Sequence, residues 1–206
     1  MRVLGHAASI NVRKVLWTLD ELGLAHQRED WGASFAPTRQ PDFLALNPNG
    51  LIPVLVDDLG SLWESNTICR YLAQRHGGGT LLPPAARDRA LIEQWMDWQA
   101  TELNGAWRYA FLALVRKTPG FDDPAAIAAS ITTWNAAMTL LDRQLATTGA
   151  YAAGETFSLA DVVLGLSTHR WLMTPIDHAD LPAVRAYYDR LRARAAFPPH
   201  ARADVP

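Results

Sequence analysis

Apolar positions recur along this chain at two spacings, and the balance between them changes once. Near the start, RVLGH (2–6) has the short, compact apolar character of a strand. Val12, Val15, Leu16, Leu19 and Leu22 then fall on one face of a 3.6-residue period, and Gly23 supplies a stop, which predicts a helix. HQREDW (26–31) reads as a second strand. DFLALN (42–47) makes a helical turn or two before Pro48. LIPVLVD (51–57) and SLW (61–63), split by the turn residues DDLG, form a hairpin. Helical spacing returns through Ile68, Tyr71 and Leu72. The order predicted for residues 1–76 is β-α-β-α-β-β-α.

Gly77-Gly78-Gly79 breaks this pattern. A phosphate cradle would need a following Gly-Lys-Ser or Gly-Lys-Thr and a strong preceding strand; neither is present, so the triplet reads as a linker. No further strand is visible beyond it. Leu91, Ile92, Trp95, Trp98 and Leu103 mark one long helix, reaching towards Arg116. Ile127, Ile131, Trp134, Met138, Leu141 and Leu145 form an apolar stripe, and further helices start near Ser158 and after Pro182. The chain therefore divides into an α/β domain over 1–78, a linker over 79–86 and an all-α domain over 87–206.

Composition narrows the function classes. With 206 residues, 49% hydrophobic, a net charge of −2 and no long basic run, the chain can bury a sizeable core and lacks the footprint of a nucleic-acid binder. Apolar runs are interrupted well before a membrane-spanning length, and MRVLGH lacks an apolar leader core; a soluble, cytoplasmic protein that does not engage a membrane is expected. Cys69 is the single cysteine, so no internal disulfide forms, and its helical apolar context predicts a buried packing thiol. The histidines show no ligand spacing, so no metal is expected.

The most informative stretch is NPNGLIPVLVDD (47–58). Pro53 stands where a strand begins, a position compatible with a cis peptide or with an ordinary strand start. A bend there leaves the backbone groups of Ile52 free to pair with an extended peptide. In LWESNTICRYL (62–72), Ser65 opens a helix whose free N–H groups suit a carboxylate, while Glu64 is able to accept from an ammonium group. Together they fit an α-amino acid head group; a plain cap beside a solvated glutamate is the alternative. In ETFSLADVVLG (155–165), Ser158 and Asp161 have capping-box spacing, with Phe157 and Val162 as a hydrophobic staple, so Asp161 reads as structural.

These motifs together resemble the glutathione S-transferase family, most closely its bacterial, serine-type, theta-like or delta-like members. The resemblance runs over nearly the whole chain. It implies an N-terminal thioredoxin-like βαβαββα domain followed by an all-helical C-terminal domain, and an enzyme that conjugates glutathione, as co-substrate, to small apolar electrophiles in detoxification. Ser-Ile-Asn-Val-Arg (9–13) is similar to the Ser-x-Pro-Cys-Arg pattern of such enzymes. Ser9 takes the place of the active serine, Arg13 that of the arginine, and Asn11 departs from the proline. The resemblance makes Ser9 catalytic, with Asn11 able to share or replace its role; Ser9 as a helix cap stays open beside this, and His6 lies near in sequence.

The resemblance also assigns Ile52, behind a cis Pro53, to the cysteinyl backbone of glutathione, and Glu64 and Ser65 to its γ-glutamyl end. For the glycyl carboxylate no obvious cation precedes Pro53, leaving Asn49, Gln40 or Arg39. The electrophile site is expected between the domains, lined by Asn104, Trp107, Arg108, Phe111 and Trp171. A homodimer is implied, with Asn66, Arg70, Glu93 and Asp97 at its interface. Other glutathione-dependent chemistry (dehalogenase, isomerase, peroxidase) and a non-enzymatic binding module on the same fold are the alternatives.

Overall fold

The structure, a computed structural model, describes residues 1–204 and 206. Four strands form one mixed sheet in the order β2-β1-β3-β4: β1 (Arg2–Leu4), β2 (Gln27–Glu29), β3 (Val54–Asp57) and β4 (Gly60–Trp63). β1 runs parallel to β2 and antiparallel to β3, and β3 and β4 form the hairpin. The parallel pair needs a crossover, supplied by α1 (Ile10–Glu21). α2 (Pro41–Leu44) is a single turn before β3, and α3 (Ser65–His76) follows β4. This is the order that the periodicity predicts.

α1 packs against both α3 and α7 (Leu159–Met173), so it joins the sheet domain to the helical one. Val12, Val15, Leu16 and Leu19 are buried on it, as their spacing requires, and Trp17 is fully buried against Phe157 and Phe197. The remaining helices are α4 (Ala86–Trp98), α5 (Asn104–Leu114), α6 (Pro124–Thr148) and α8 (Pro182–Arg192). One core runs through both domains and includes Trp134 and Tyr187.

Two local features depart from or refine the sequence pattern. The long helix expected up to Arg116 is two α-helices joined by a π-helical segment, Gln99–Leu103. Gln99 lies fully buried there, where its amide meets Lys14, Asn104 and Ser167, so a polar network accompanies the wider turn. α7 is buried along almost its whole length, and its capping box is complete: the Ser158 hydroxyl and backbone N–H both pair with Asp161. Cys69 is buried, and burial pushes its thiol up to about 11, the signature of a packing thiol.

Candidate active site

The first turn after β1 sets the site. Gly5 has φ 144°, and a Cβ there would stand 2.5 Å from Val12 Cγ2 and 3.1 Å from Ile52 Cβ. Only glycine lets the end of β1 come this close to α1 and to the segment before β3. The chain then passes His6 and enters α1 with Ser9 as N-cap. Ser9 is extended (φ −82°, ψ 123°), its N–H donates to the His6 carbonyl and its own carbonyl accepts from Arg13 N–H. Its hydroxyl makes no capping bond. Ser9 lines a cleft of about 760 Å³ between the two domains, a volume typical of small-molecule sites.

That cleft brings together seven of the expected residues: Ser9, Asn11 and Ile52 from the sheet domain, and Asn104, Trp107, Arg108 and Phe111 from α5. The Ile52–Pro53 peptide is cis, with Pro53 buried behind Ile52. Glu64 and Ser65 sit at the start of α3, outside the cleft wall. Glu64 holds φ 69° and ψ 110°, a conformation that costs a non-glycine residue about 1–3 kcal/mol. Such backbone is usually retained where it aims a functional group. Ser65 beside it is buried and Glu64 is exposed.

Two expectations fare differently. Trp171 does not line the cleft: it is fully buried, donates from Nε1 to Asn135 Oδ1 at 3.0 Å and meets the His178 ring edge-on. One residue earlier, Arg170 faces the cleft instead, a rotation of about 100° around α7. Asn49 is exposed and outside the cleft wall; its N–H donates to Asn47 Oδ1 at 3.0 Å, and the neighbouring Gly50 lines the cleft. Arg39 lies against Gly50, its Cδ 3.0 Å from where a Cβ would be. Arg13 points away from the cleft and donates to the His200 and Pro206 carbonyls, both at 2.9 Å.

The cleft also contains residues that sequence reasoning passed over. Leu112 continues the i+4 spacing of Asn104 and Arg108 along α5, and Arg116 takes the next i+4 step two residues past the end of the helix. Thr38 and Arg170 carry no such signal. His6 lines the cleft beside Phe35, and its pKa is lowered, mainly by burial and then by the nearby Arg116.

Behind the wall runs a polar chain. Lys14 Nζ donates to Gln99 Oε1 at 2.7 Å and to Asn66 Oδ1 at 3.3 Å; Gln99 Nε2 donates to Asn104 Oδ1 at 2.9 Å, which also accepts from Trp107 Nε1 at 3.0 Å. It fixes the Trp107 ring by linking it to the second turn of α1 and the first turn of α3. Burial brings the Lys14 amine down to about 8.

A thioredoxin-like sheet domain, a helical domain and a cleft between them that is opened by a helix-start hydroxyl define the class of this protein. Comparison with known proteins gives the family. Residues 8–75 match the glutathione S-transferase N-terminal domain and residues 124–190 match the glutathione S-transferase C-terminal domain. The chain is 38% identical over 194 residues, 93% of each chain, to glutathione S-transferase GstB of Escherichia coli K12. It superposes with TM-score 0.88 and 39% identity on the theta class glutathione S-transferase of Xanthomonas axonopodis pv. citri with glutathione bound, covering 95% of this chain and 93% of that one. A shorter match, 36% over 129 residues, covers 30% of an elongation factor 1-gamma of rice. The chain belongs to the glutathione S-transferase family, and it is an enzyme of that family.

Proposed function

We propose that this glutathione S-transferase activates the glutathione thiol with the Ser9 hydroxyl and transfers the sulfur to a small electrophile held against α5. The observation that carries the reading is Ser9: it stands at the N-terminus of α1 and lines the cleft, and its hydroxyl makes no cap bond. A free thiol has a pKa of about 8.5, so little of it is thiolate at neutral pH. A donated hydrogen bond and the positive end of α1 both favour the anion. Ser9 donates, the bound sulfur is the nucleophile, and no covalent enzyme intermediate is formed. Asn11, two residues further along the same cleft wall, is the second donor.

In this reading the Ile52 backbone, exposed by the cis Pro53, pairs with the cysteinyl part of glutathione. Glu64 and Ser65 hold the γ-glutamyl end, and the strained Glu64 backbone supports that assignment. Arg39, against Gly50, is favoured over Asn49 and Gln40 for the glycyl carboxylate. Residues 1–78 form the glutathione domain, 79–86 the linker and 87–206 the electrophile domain. We further propose a homodimer through α3 and α4. Arg70 pairs with Glu93 and Asp97 within the chain, which ties the two helices into one face. Among the described residues no helix is long and apolar enough to cross a membrane, and a lone buried thiol suits the reducing cytoplasm, where we place the protein.

The test follows thiolate ultraviolet absorbance against pH for glutathione bound to wild type, Ser9→Ala and Asn11→Ala. A hydrogen bond to a charged group is worth about 1.5–3 kcal/mol, or about one to two pKa units. Ser9→Ala is expected to raise the bound thiol pKa by that amount. A low pKa kept in Ser9→Ala and lost in Asn11→Ala transfers the role to Asn11. The similarity to elongation factor 1-gamma favours a second, non-catalytic reading; a bound thiol that is never activated would support it.

A further inference from the structure

The electrophile half of the cleft carries charge that glutathione does not account for. Arg108, Arg116 and Arg170 all line it, and among the described residues no acidic one does. Among the described residues none of the three pairs with an aspartate or glutamate side chain. Arg108 and Arg116 are exposed; Arg116 reaches the Ala8 carbonyl at 3.5 Å and lies over the Phe111 ring, 5.7 Å from its centroid. Arg170 is only 3% exposed; its Nε has no partner and its Nη2 meets the Pro206 carbonyl oxygen at 3.4 Å.

Aromatic faces hold Arg170 in place. Its guanidinium carbon lies 4.5 Å from the Trp107 ring centroid and 4.0 Å from that of Phe111, within cation–π range. Burial, Arg13 and Arg116 all push its pKa down, so the protonated form is under electrostatic stress. The Pro206 oxygen that Arg170 meets at 3.4 Å is shared with Arg13, which holds it at 2.9 Å, so Arg170 is left short of anionic partners, and burying such a cation is costly. The His6 imidazole, with its lowered pKa, brings no compensating negative charge.

We propose that the electrophile taken by this cleft bears a carboxylate on an otherwise apolar, aryl-sized body, with Arg116 and Arg170 as the carboxylate's partners and Trp107 and Phe111 packing the body. The inference rests on the glutathione reading above, in which the two carboxylates of the tripeptide are held elsewhere, at Ser65 and Arg39. A guanidinium fork recognises a carboxylate bidentately and so also orients it. The chemistry balances without an oxidant or reductant. The thiolate sulfur bonds to the electrophilic carbon, and the leaving group departs with the electron pair of its broken bond. The thiol proton has already gone to solvent.

The experiment titrates the protein calorimetrically with two product conjugates, S-(4-carboxy-2,6-dinitrophenyl)glutathione and its 4-carboxamide, and with glutathione itself. The pair differs in one charge and hardly in shape. The carboxylate conjugate is expected to bind about tenfold or more tightly than the carboxamide, as a charge-assisted pair implies. The gap narrows in Arg116→Gln and at high salt. Equal affinities in wild type overturn the proposal while glutathione binding stands. So does an Arg116→Gln variant that loses as much affinity for glutathione as for the carboxylate conjugate, because the arginine then serves the tripeptide. Failure of all three ligands to bind overturns the glutathione reading and this inference with it.

Discussion

Replacing Asp161 with alanine removes one acceptor from a site with four donors. The carboxylate accepts from Ala152 N–H and Ser158 N–H at 2.9 Å, from the Ser158 hydroxyl at 3.0 Å and from the Tyr187 hydroxyl at 3.1 Å. Asp161, Ala152 and Tyr187 are fully buried, so water does not replace the lost partner cheaply. The Ser158 hydroxyl is free to rotate and the Tyr187 hydroxyl keeps the Asp161 backbone carbonyl at 3.4 Å; the two backbone donors are left, each costing about 1–3 kcal/mol when orphaned. One term opposes this. Burial pushes the Asp161 carboxyl from 3.8 up to about 6, so part of the wild-type stability is spent on keeping it charged at neutral pH, and alanine returns that part. The net expectation is a loss of about 3 kcal/mol, a large share of the usual 5–15 kcal/mol of a domain. At about 2–4 °C per kcal/mol for a chain of this length, Tm falls by about 10 °C.

Scanning calorimetry and urea unfolding measure the loss, and glutathione affinity per folded molecule stays close to wild type because Asp161 is outside the cleft wall. Asp161→Asn, which keeps one acceptor oxygen, loses less. The pH dependence has a defined sign. A raised carboxyl pKa means the native state holds the extra proton between about 4 and 6, so this group's stabilisation is full below pH 4 and is lost as pH rises through about 6. Both variants lack that slope. An unchanged Tm, or lost affinity at an unchanged Tm, would refute a structural role for Asp161.

Two further predictions concern the frame of the cleft. Burial lowers Lys14 from 10.5 to about 8, so the unfolded state binds more protons between those values and stability rises with pH across that window; Lys14→Met should abolish the rise in urea titrations run from pH 8 to 10. Gly165→Ala should destabilise although alanine is the better helix former, because its Cβ would lie 2.6 Å from Leu191 Cδ1 and 3.1 Å from Trp17 Cη2. Overpacking of about 1–3 kcal/mol outweighs a propensity gain of about 1 kcal/mol, and a raised Tm would contradict the packing described for α7 and α8.

Much of the fold is legible in the chain because it is local. The α1 stripe, the hairpin after Pro53 and the Ser158–Asp161 capping box each depend on residues a few positions apart, and period, turn chemistry and cap spacing register them directly. The same holds for the Ser9 turn and for Asn104, Trp107, Arg108 and Phe111, one face of one helix. What the sequence by itself determined is therefore the order of elements, the two-domain division and the two walls of the cleft. Only the tertiary structure decided what closes it. Arg116 reaches back to Ala8 across 108 residues of chain, and Arg170 enters from a helix buried almost all round, where hydrophobic periodicity vanishes and no pattern says that Arg170 rather than Trp171 faces the cleft. That choice follows from how α7 is rotated between α1 and α8, a packing outcome summed over the whole core, and it is what gives the cleft its charge.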